Sequence, residues 1–331
     1  MKKVCIVGAG AIGGLIGTRL AATGAVEVSA FARGATLAAL RQHGWRLRQG
    51  DETVGAAAIA SDHAGELGAQ DLVVIAVKGP ALAGVVLQIG PLLGPQTVVL
   101  PAMNGVPWWF GEGIAALEGR PLESVDPGGR IAAAIPFAQV VGCVVHASAS
   151  SSEPGLAQHH MGRRLIVGEP AGGDSARVGQ LAELLGRAGF EVVVSPNVRY
   201  DIWYKLWGNL TMNPVSAITG ASVDRLLDDP LVREFCSAAM REAAAIGARL
   251  GCDIAQGPDD RHAVTRKLGA LKTSMLQDVE AGRALELDSI VGAVHELGER
   301  VGVPAPNVAA LFGLARLFGR VRGLYPDAPP R

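Results

Sequence analysis

The chain has 331 residues, enough for about two domains of ordinary size. Apolar residues make up 49% and charged residues 18%, so material for a packed core is ample. The formal net charge is −1 and no basic tract occurs, which removes the electrostatic case for a nucleic acid or an anionic membrane as partner.

Residues 4–7 form a short apolar run that feeds a glycine-rich turn, the pattern of a buried parallel strand. Residues 12–23 then read as a helix with Ile12, Leu15, Ile16 and Leu20 on one side. A second strand is expected over 26–32 and a short helix over 36–43. Further strands are expected over 72–77, 97–100, 131–146, 164–167 and 191–194. Strands alternating with helices imply βαβ units and an α/β Rossmann-type fold with a doubly wound parallel sheet. Past Ser195-Pro196-Asn197 strand-like runs stop, and 199–212, 231–250, 263–279 and 285–301 carry helical periodicity. The expected organisation is therefore a Rossmann domain over 1–196, a mainly α-helical C-terminal domain over 197–325 and a flexible tail over 326–331.

Cys5, Cys143, Cys236 and Cys252 are far apart and form no C-x-x-C pair, so neither a disulfide framework nor a zinc site is expected. No metal site is expected from the adjacent His159 and His160 either. Met1-Lys2-Lys3 before apolar residues imitates a signal peptide, but Gly8, Gly10, Gly13 and Gly14 interrupt the run. No apolar run approaches the length of a membrane span, and a cytoplasmic protein with reduced thiols is expected.

The segment Val4-Cys5-Ile6-Val7-Gly8-Ala9-Gly10-Ala11-Ile12-Gly13 contains G-x-G-x-x-G. Among 44 glycines the pattern alone says little; its place after a strand and at the start of a helix gives it weight. Gly8 allows the tight turn, Gly10 lets the backbone approach a pyrophosphate, and Gly13 lets helix and strand pack closely. The helix start offers free N–H groups to the phosphates, so residues 8–13, with Ala9, Ala11 and Ile12, are expected to bind a dinucleotide. The second strand ends Ser29-Ala30-Phe31-Ala32-Arg33-Gly34, without the carboxylate that would hold NAD ribose hydroxyls. Arg33 stands where a 2′-phosphate would lie, which favours NADPH/NADP+; the plain alternative is a solvated surface arginine.

In the helical half, Lys205, Asn209 and Asn213 recur at i, i+4 and i+8, on one helix face, and Pro214 is expected to kink or end that helix. Spacing alone leaves open an exposed polar stripe or a face that binds a small polar substrate. The flanking Trp203, Leu206, Trp207, Leu210 and Met212 point to a largely buried helix and so to a functional face.

The chain resembles the ketopantoate reductase (2-dehydropantoate 2-reductase) family nearly end to end. The resemblance is carried by G-A-G-A-I-G-G at the start, A-R-G at Arg33, A-V-K-G at Lys78 and N-G at Asn104. It continues through Y-K-L-W-G-N-L-T-M-N-P, S-M-L-Q-D and E-L-D. It implies a C-terminal domain like that of 6-phosphogluconate dehydrogenase and reduction of the 2-oxo acid ketopantoate to pantoate by NADPH, in pantothenate synthesis. It implies Lys205 as general acid, Asn209 and Asn213 as substrate amides, Ser274 as a substrate contact, and Glu286 as the acid that binds substrate and holds the site together. Lys78 and Asn104 follow expected strands, where open α/β sheets bind ligands, and are expected to serve cofactor and substrate. Ser274 and Glu286 are too far apart for one helix face, and Ala281-Gly282-Arg283 is expected to break the helix between them. Asp278 and Asp288 read as solvated or helix-pairing acids.

The chain departs from the family at Met103, where glutamine is common, and at Val106-Pro107-Trp108-Trp109-Phe110, which opens an extra segment reaching about Arg130. Its two tryptophans either narrow the pocket or pack the segment down. Two alternatives therefore stay open: reduction of another branched or bulky 2-oxo acid, and an NADP(H)-binding sensor without turnover. Val308, Leu311, Phe312, Leu314, Leu317 and Phe318 either close the core or serve a homodimer interface.

Overall fold

The computed structural model describes residues 1–327; most of the tail expected over 326–331 lies outside the described residues. By its internal contacts the chain forms two compact units, Met1–Met103 with Arg130–Asp201, and Asn104–Gly129 with Ile202–Arg331. A single cut near Pro196 does not capture this division. The stretch Asn104–Gly129 follows a strand of the first unit but belongs with the helices.

The first unit opens with β1 (Lys3–Val7), α1 (Ala11–Ala22), β2 (Glu27–Phe31) and α2 (Gly34–His43). A hairpin of β3 (Trp45–Gln49) and β4 (Glu52–Ala56) follows, then β5 (Ile59–Ser61), α3 (Ala64–Leu67), β6 (Gln70–Ile75), α4 (Gly79–Val86) and β7 (Leu93–Pro101). The parallel sheet runs β5-β2-β1-β6-β7, with β1 at its centre between β2 and β6. Val4, Cys5, Ile6 and Val7 are fully buried, as a central parallel strand covered on both faces must be.

After α5 (Arg130–Ala134) come β8 (Gly142–Glu153), β9 (Leu156–Gly168), α6 (Ala176–Arg187) and β10 (Glu191–Val194). These strands build a second, mixed sheet that the sequence reading missed. β8 pairs antiparallel with β9 along nearly its whole length, while β3 and then β10 pair parallel with successive halves of β9. The expected strand over 131–146 is thus corrected: its first part is helix α5 and a 3-10 turn at Phe137–Gln139, and the strand starts at Gly142. The Ala132-Ala133-Ala134 run explains the change, since alanine is the best helix former and a poor strand residue.

One hydrophobic cluster joins the two sheets through α1, combining Leu15, Ile16 and Leu20 with Trp45, Leu47, Ala157 and Leu165. Two further glycines of α1 have their reason here. A Cβ on Gly14 would fall 2.9 Å from the Ala157 Cβ, and one on Gly17 would fall 2.5 Å from the Trp45 ring.

The second unit is helical: α7 (Val198–Thr219), whose first turn belongs to the other unit, α8 (Val223–Asp228), α9 (Pro230–Arg249), α10 (Pro258–Arg266), α11 (Ser274–Glu280), α12 (Ala293–Arg300) and α13 (Pro306–Val321). Two expectations are corrected. The helix does not end at Pro214, one of the two outcomes expected there, but continues to Thr219. Proline costs an interior helix one hydrogen bond and a clash, and burial of Met212, Val215, Val223 and Leu311 in one cluster offsets that cost. The helix expected over 263–279 is two, parted at 267–273, with Thr273 capping α11 by accepting from the Leu276 amide at 3.2 Å.

Candidate active site

The first half of the site lies in the sheet unit. Gly8 has φ +92°, and a Cβ there would fall 2.6 Å from the Val77 Cγ1, so turn and neighbour both demand glycine. A Cβ on Gly13 would run into the Gly8 carbonyl oxygen, whereas one on Gly10 would meet nothing within 4 Å. Gly10 therefore faces open space for a reason other than internal packing. It also caps α1 without a side-chain hydrogen bond, so the amides at that helix start are presented by backbone alone.

A cavity of about 280 Å³ adjoins this turn, lined by Gly8, Ala9, Gly10, Phe31, Arg33 and Thr36 among others. Arg33 is exposed and forms the N-cap position of α2. Lys78 takes the same position at the start of α4, beyond the carboxyl end of β6. Ala11 and Ile12 lie in the first turn of α1. Backbone donors, a helix start and a guanidinium form a donor set suited to a dinucleotide with a phosphorylated ribose. Phe31, Thr36 and Val77 were not singled out from the sequence; Thr36, three residues past Arg33, was the one with a readable position.

The second half lies in the helical unit. Lys205, Asn209 and Asn213 share one unbroken helix, α7, whose other faces carry Trp203 and Trp207 into the interior. The indole N–H of Trp203 donates to Ala243 O at 3.2 Å and that of Trp207 to Met240 O at 2.7 Å, which fixes the roll of α7 against α9. Lys205 Nζ donates to Asn104 Oδ1 at 2.9 Å. Asn104 thus joins the lysine within this unit. Asn213 is 5% exposed, and its Nδ2 is a buried donor without a protein partner. A buried amide is costly to leave without a partner, and a polar ligand or an ordered water supplies one.

Glu286 is half-buried and follows the break at Gly282, as the sequence implied. Immediately after it, Asp288–Gly292 forms a π-helical turn, not the uniform helix expected over 285–301. Ser274 stands exposed in the first turn of α11, and among the described residues its side chain makes no hydrogen bond.

Of the two readings open for Asp278 and Asp288, solvated or pairing, the structure excludes the first. Asp278 is buried and pairs with Arg283 at 2.9 Å. Burial pushes the Asp288 carboxyl above its ordinary value, against the opposing pull of the Tyr325 hydroxyl, which donates to it at 2.5 Å.

The extra segment resolves into structure. Trp108, Trp109 and Phe110 are buried, and Phe110 packs on Trp203 with ring centroids 5.7 Å apart. Farther on, the Glu296 carboxylate accepts the Glu123 and Ser124 amides at 2.9 and 2.8 Å and pairs with Arg300 at 2.5 Å. The segment packs down onto the helical unit.

Among the described residues no helix is long and apolar enough to cross a membrane, and no cluster of His, Cys, Asp and Glu could hold a metal. The four cysteines are buried free thiols.

A glycine turn that opens a helix with free backbone donors, and an ammonium and amides aligned elsewhere on a helix, suit a nicotinamide-dependent oxidoreductase, and that is the class of this protein. Residues 4–172 match the family described as ketopantoate reductase PanE/ApbA, and residues 197–318 match its C-terminal domain. The chain belongs to the ketopantoate reductase family. It is 44% identical over 324 residues to a 2-dehydropantoate 2-reductase of Mesorhizobium japonicum, covering 98% of this chain and 99% of that one. A crystal structure of a candidate ketopantoate reductase from Ralstonia solanacearum MolK2 superposes with a TM-score of 0.94 at 53% identity, over 98% and 99% of the two chains. The 2-dehydropantoate 2-reductase of Methylococcus capsulatus superposes with a TM-score of 0.79 at 27% identity, over 96% and 97%.

Proposed function

We propose that the protein reduces the 2-oxo group of ketopantoate to give pantoate, with NADPH as reductant and Lys205 as proton donor. When bound, the dihydronicotinamide supplies a hydride to the carbonyl carbon. The chain supplies the rest. Addition at C2 turns the carbonyl oxygen into an alkoxide, and the Lys205 ammonium offers that oxygen both positive charge and a proton. Asn104 accepts one Lys205 N–H and so directs the head group. Asn209 and Asn213, farther along α7, hold the substrate's polar groups, with Glu286 and Ser274 completing the set. Arg33 receives the 2′-phosphate, residues 8–13 the pyrophosphate, and Lys78 the reduced cofactor's inner part.

The observation that carries this reading is the α7 line itself, a partnered ammonium followed by a buried amide donor that no protein group satisfies. The Mesorhizobium relative, matched over its whole length, supports the substrate. Buried Trp108 and Trp109 favour ketopantoate over a bulkier acid, because they pack the extra segment down. Buried free thiols support a cytoplasmic location. Leu314, Leu317 and Val321, 60%, 60% and 80% exposed on one face of α13, support a homodimer.

The test is NADPH oxidation by purified protein with ketopantoate, beside bulkier 2-oxo acids and Lys205→Ala. Lys205-dependent turnover of ketopantoate is the expected result. Turnover of a bulkier acid alone would reassign the substrate, and tight NADPH binding with no turnover of any acid would make the protein a sensor.

A further inference from the structure

We infer that Tyr325 and Asp288 are positioning residues: they latch the π-helical turn Asp288–Gly292, which in turn sets Glu286 and the Asn104–Lys205 pair. The inference rests on the roles proposed above for Lys205 and Glu286.

A π-helical turn admits one residue too many for regular helix geometry and persists where neighbours hold it. This turn is held on both sides. On one side is the C-terminal stretch after α13. Leu285 N–H donates to Leu324 O at 2.9 Å, and the Tyr325 hydroxyl donates to Asp288 Oδ1 at 2.5 Å. That stretch is itself anchored: Leu324 N–H donates to Gly319 O at 2.7 Å, and Arg320 Nε donates to Pro326 O at 3.1 Å. Gly319 is cut back for Tyr325, since a Cβ there would fall 2.7 Å from the tyrosine Cβ.

On the other side is the start of the extra segment. Val106 N–H donates to Ser289 O at 2.7 Å. Gly105, at φ +83°, approaches so closely that a Cβ would fall 2.5 Å from the same carbonyl oxygen. Asn104, next in the chain, accepts from Lys205. A contiguous path of hydrogen bonds and adjacent backbone therefore runs from Tyr325 to Asp288, through Ser289 to Gly105 and Asn104, and ends on the Lys205 ammonium. Glu286 sits inside the clamped stretch, between the Leu285 amide bond and the Asp288 latch.

The charges facing this latch suit it. Burial pushes both the Asp288 carboxyl and the Tyr325 hydroxyl up, and the nearby Arg316 and Arg320 oppose that shift. Tyrosine thus stays a donor at neutral pH, and Asp288 Oδ1 is the acceptor it meets.

A latch that merely closed the core would change stability alone. A positioning latch changes how the 2-oxo acid is held. The experiment compares wild type with Tyr325→Phe, Asp288→Asn, Asp288→Ala and the Tyr325→Phe/Asp288→Ala double variant. Tyr325→Phe is expected to raise KM for the 2-oxo acid about tenfold, on the scale of one hydrogen bond to a charged group, with KM for NADPH unchanged. Asp288→Asn keeps an acceptor oxygen but not its charge, and is expected to raise that KM less than Asp288→Ala does. Asp288→Ala is expected to match Tyr325→Phe, and the double variant to be no worse than Asp288→Ala, because one interaction is lost only once.

Hydrogen–deuterium exchange without substrate gives a readout independent of turnover. In Tyr325→Phe, peptides covering 285–292 and 104–110 are expected to exchange faster together, while those of α9 do not change. Unchanged exchange over 104–110, or kinetic losses that follow a fall in Tm and touch both substrates equally, would overturn the inference. A wild-type protein inactive on ketopantoate would count against the proposed function, and the exchange result would still decide the latch.

Discussion

Lys205 Nζ and Asn104 Oδ1 meet at 2.9 Å across 101 positions of sequence, and both belong to the helical unit. The strand that precedes Asn104 belongs to the other unit, so the chain hands this amide over for use beside the lysine. If the pair delivers the proton, charge alone does not suffice. Lys205→Ala is expected to lower kcat by about 10²–10⁴-fold. Lys205→Arg keeps the charge but holds its proton too firmly at neutral pH, and is expected to be nearly as inactive. Steady-state kinetics with a fluorescence titration of NADPH checks both, since cofactor affinity should not move. An arginine variant keeping more than about a tenth of wild-type activity would place the proton donor elsewhere.

Two of the motif glycines make separable predictions. Gly13→Ala forces a methyl group into the Gly8 carbonyl, so a clear loss of Tm is expected, in the range of overpacked cores. Gly10→Ala meets no protein atom within 4 Å, so Tm should hold. Its methyl instead occupies the space a pyrophosphate needs, and NADPH affinity should fall about tenfold or more. Thermal melts paired with NADPH titrations separate the two. Equal effects of both variants on Tm would mean that the open space at Gly10 is not a ligand site.

The parts of the molecule that announced themselves were those whose reason is local. The turn at Gly8 and the apolar run at Val4–Val7 declare strand, turn and helix within a dozen residues, and the α7 line needs only helical spacing to be seen. Features whose reason is distant stayed hidden. The hairpin at Trp45 is polar and short, and it becomes a strand because β9 pairs with it. Gly14 and Gly17 look like poor helix residues until Ala157 and Trp45 are found against them. Asp288 reads as an ordinary acid because its partner, Tyr325, arrives from the C-terminal stretch. Pro214 signals a helix end by local rules, and tertiary burial overrides it.

Arg33 offers a test of cofactor choice. It is exposed beside a cavity lined by Thr36 and the glycine turn, and no acid stands at the end of β2. Arg33→Gln is expected to raise KM for NADPH about 10–100-fold, the scale of losing a hydrogen bond to a charged group. KM for NADH, which has no 2′-phosphate, should hardly change. Parallel kinetics with the two cofactors checks this. Equal losses for both would assign Arg33 to general support of the site and leave NADPH selection to other residues.

Glu296 anchors the far end of the extra segment, and its anchoring depends on charge. Burial would raise this carboxyl, but hydrogen bonds from Ser124 and Glu123 and the charge of Arg300 outweigh it and hold the group below the ordinary 4.5. A depressed folded-state value means that the ionised form stabilises the fold above the unfolded value, and that this stability drains away as pH falls through the folded value. Glu296→Gln is therefore expected to cost about 2–4 kcal/mol near neutral pH, because two amides and a largely buried guanidinium lose their anion. The gap between variant and wild type should shrink as pH drops below 4.5. Chemical denaturation at about pH 7 and about pH 3.5 checks the sign. A gap that stays constant between those conditions would show that shape, and not the carboxylate charge, fixes Asn104–Gly129 to the helices.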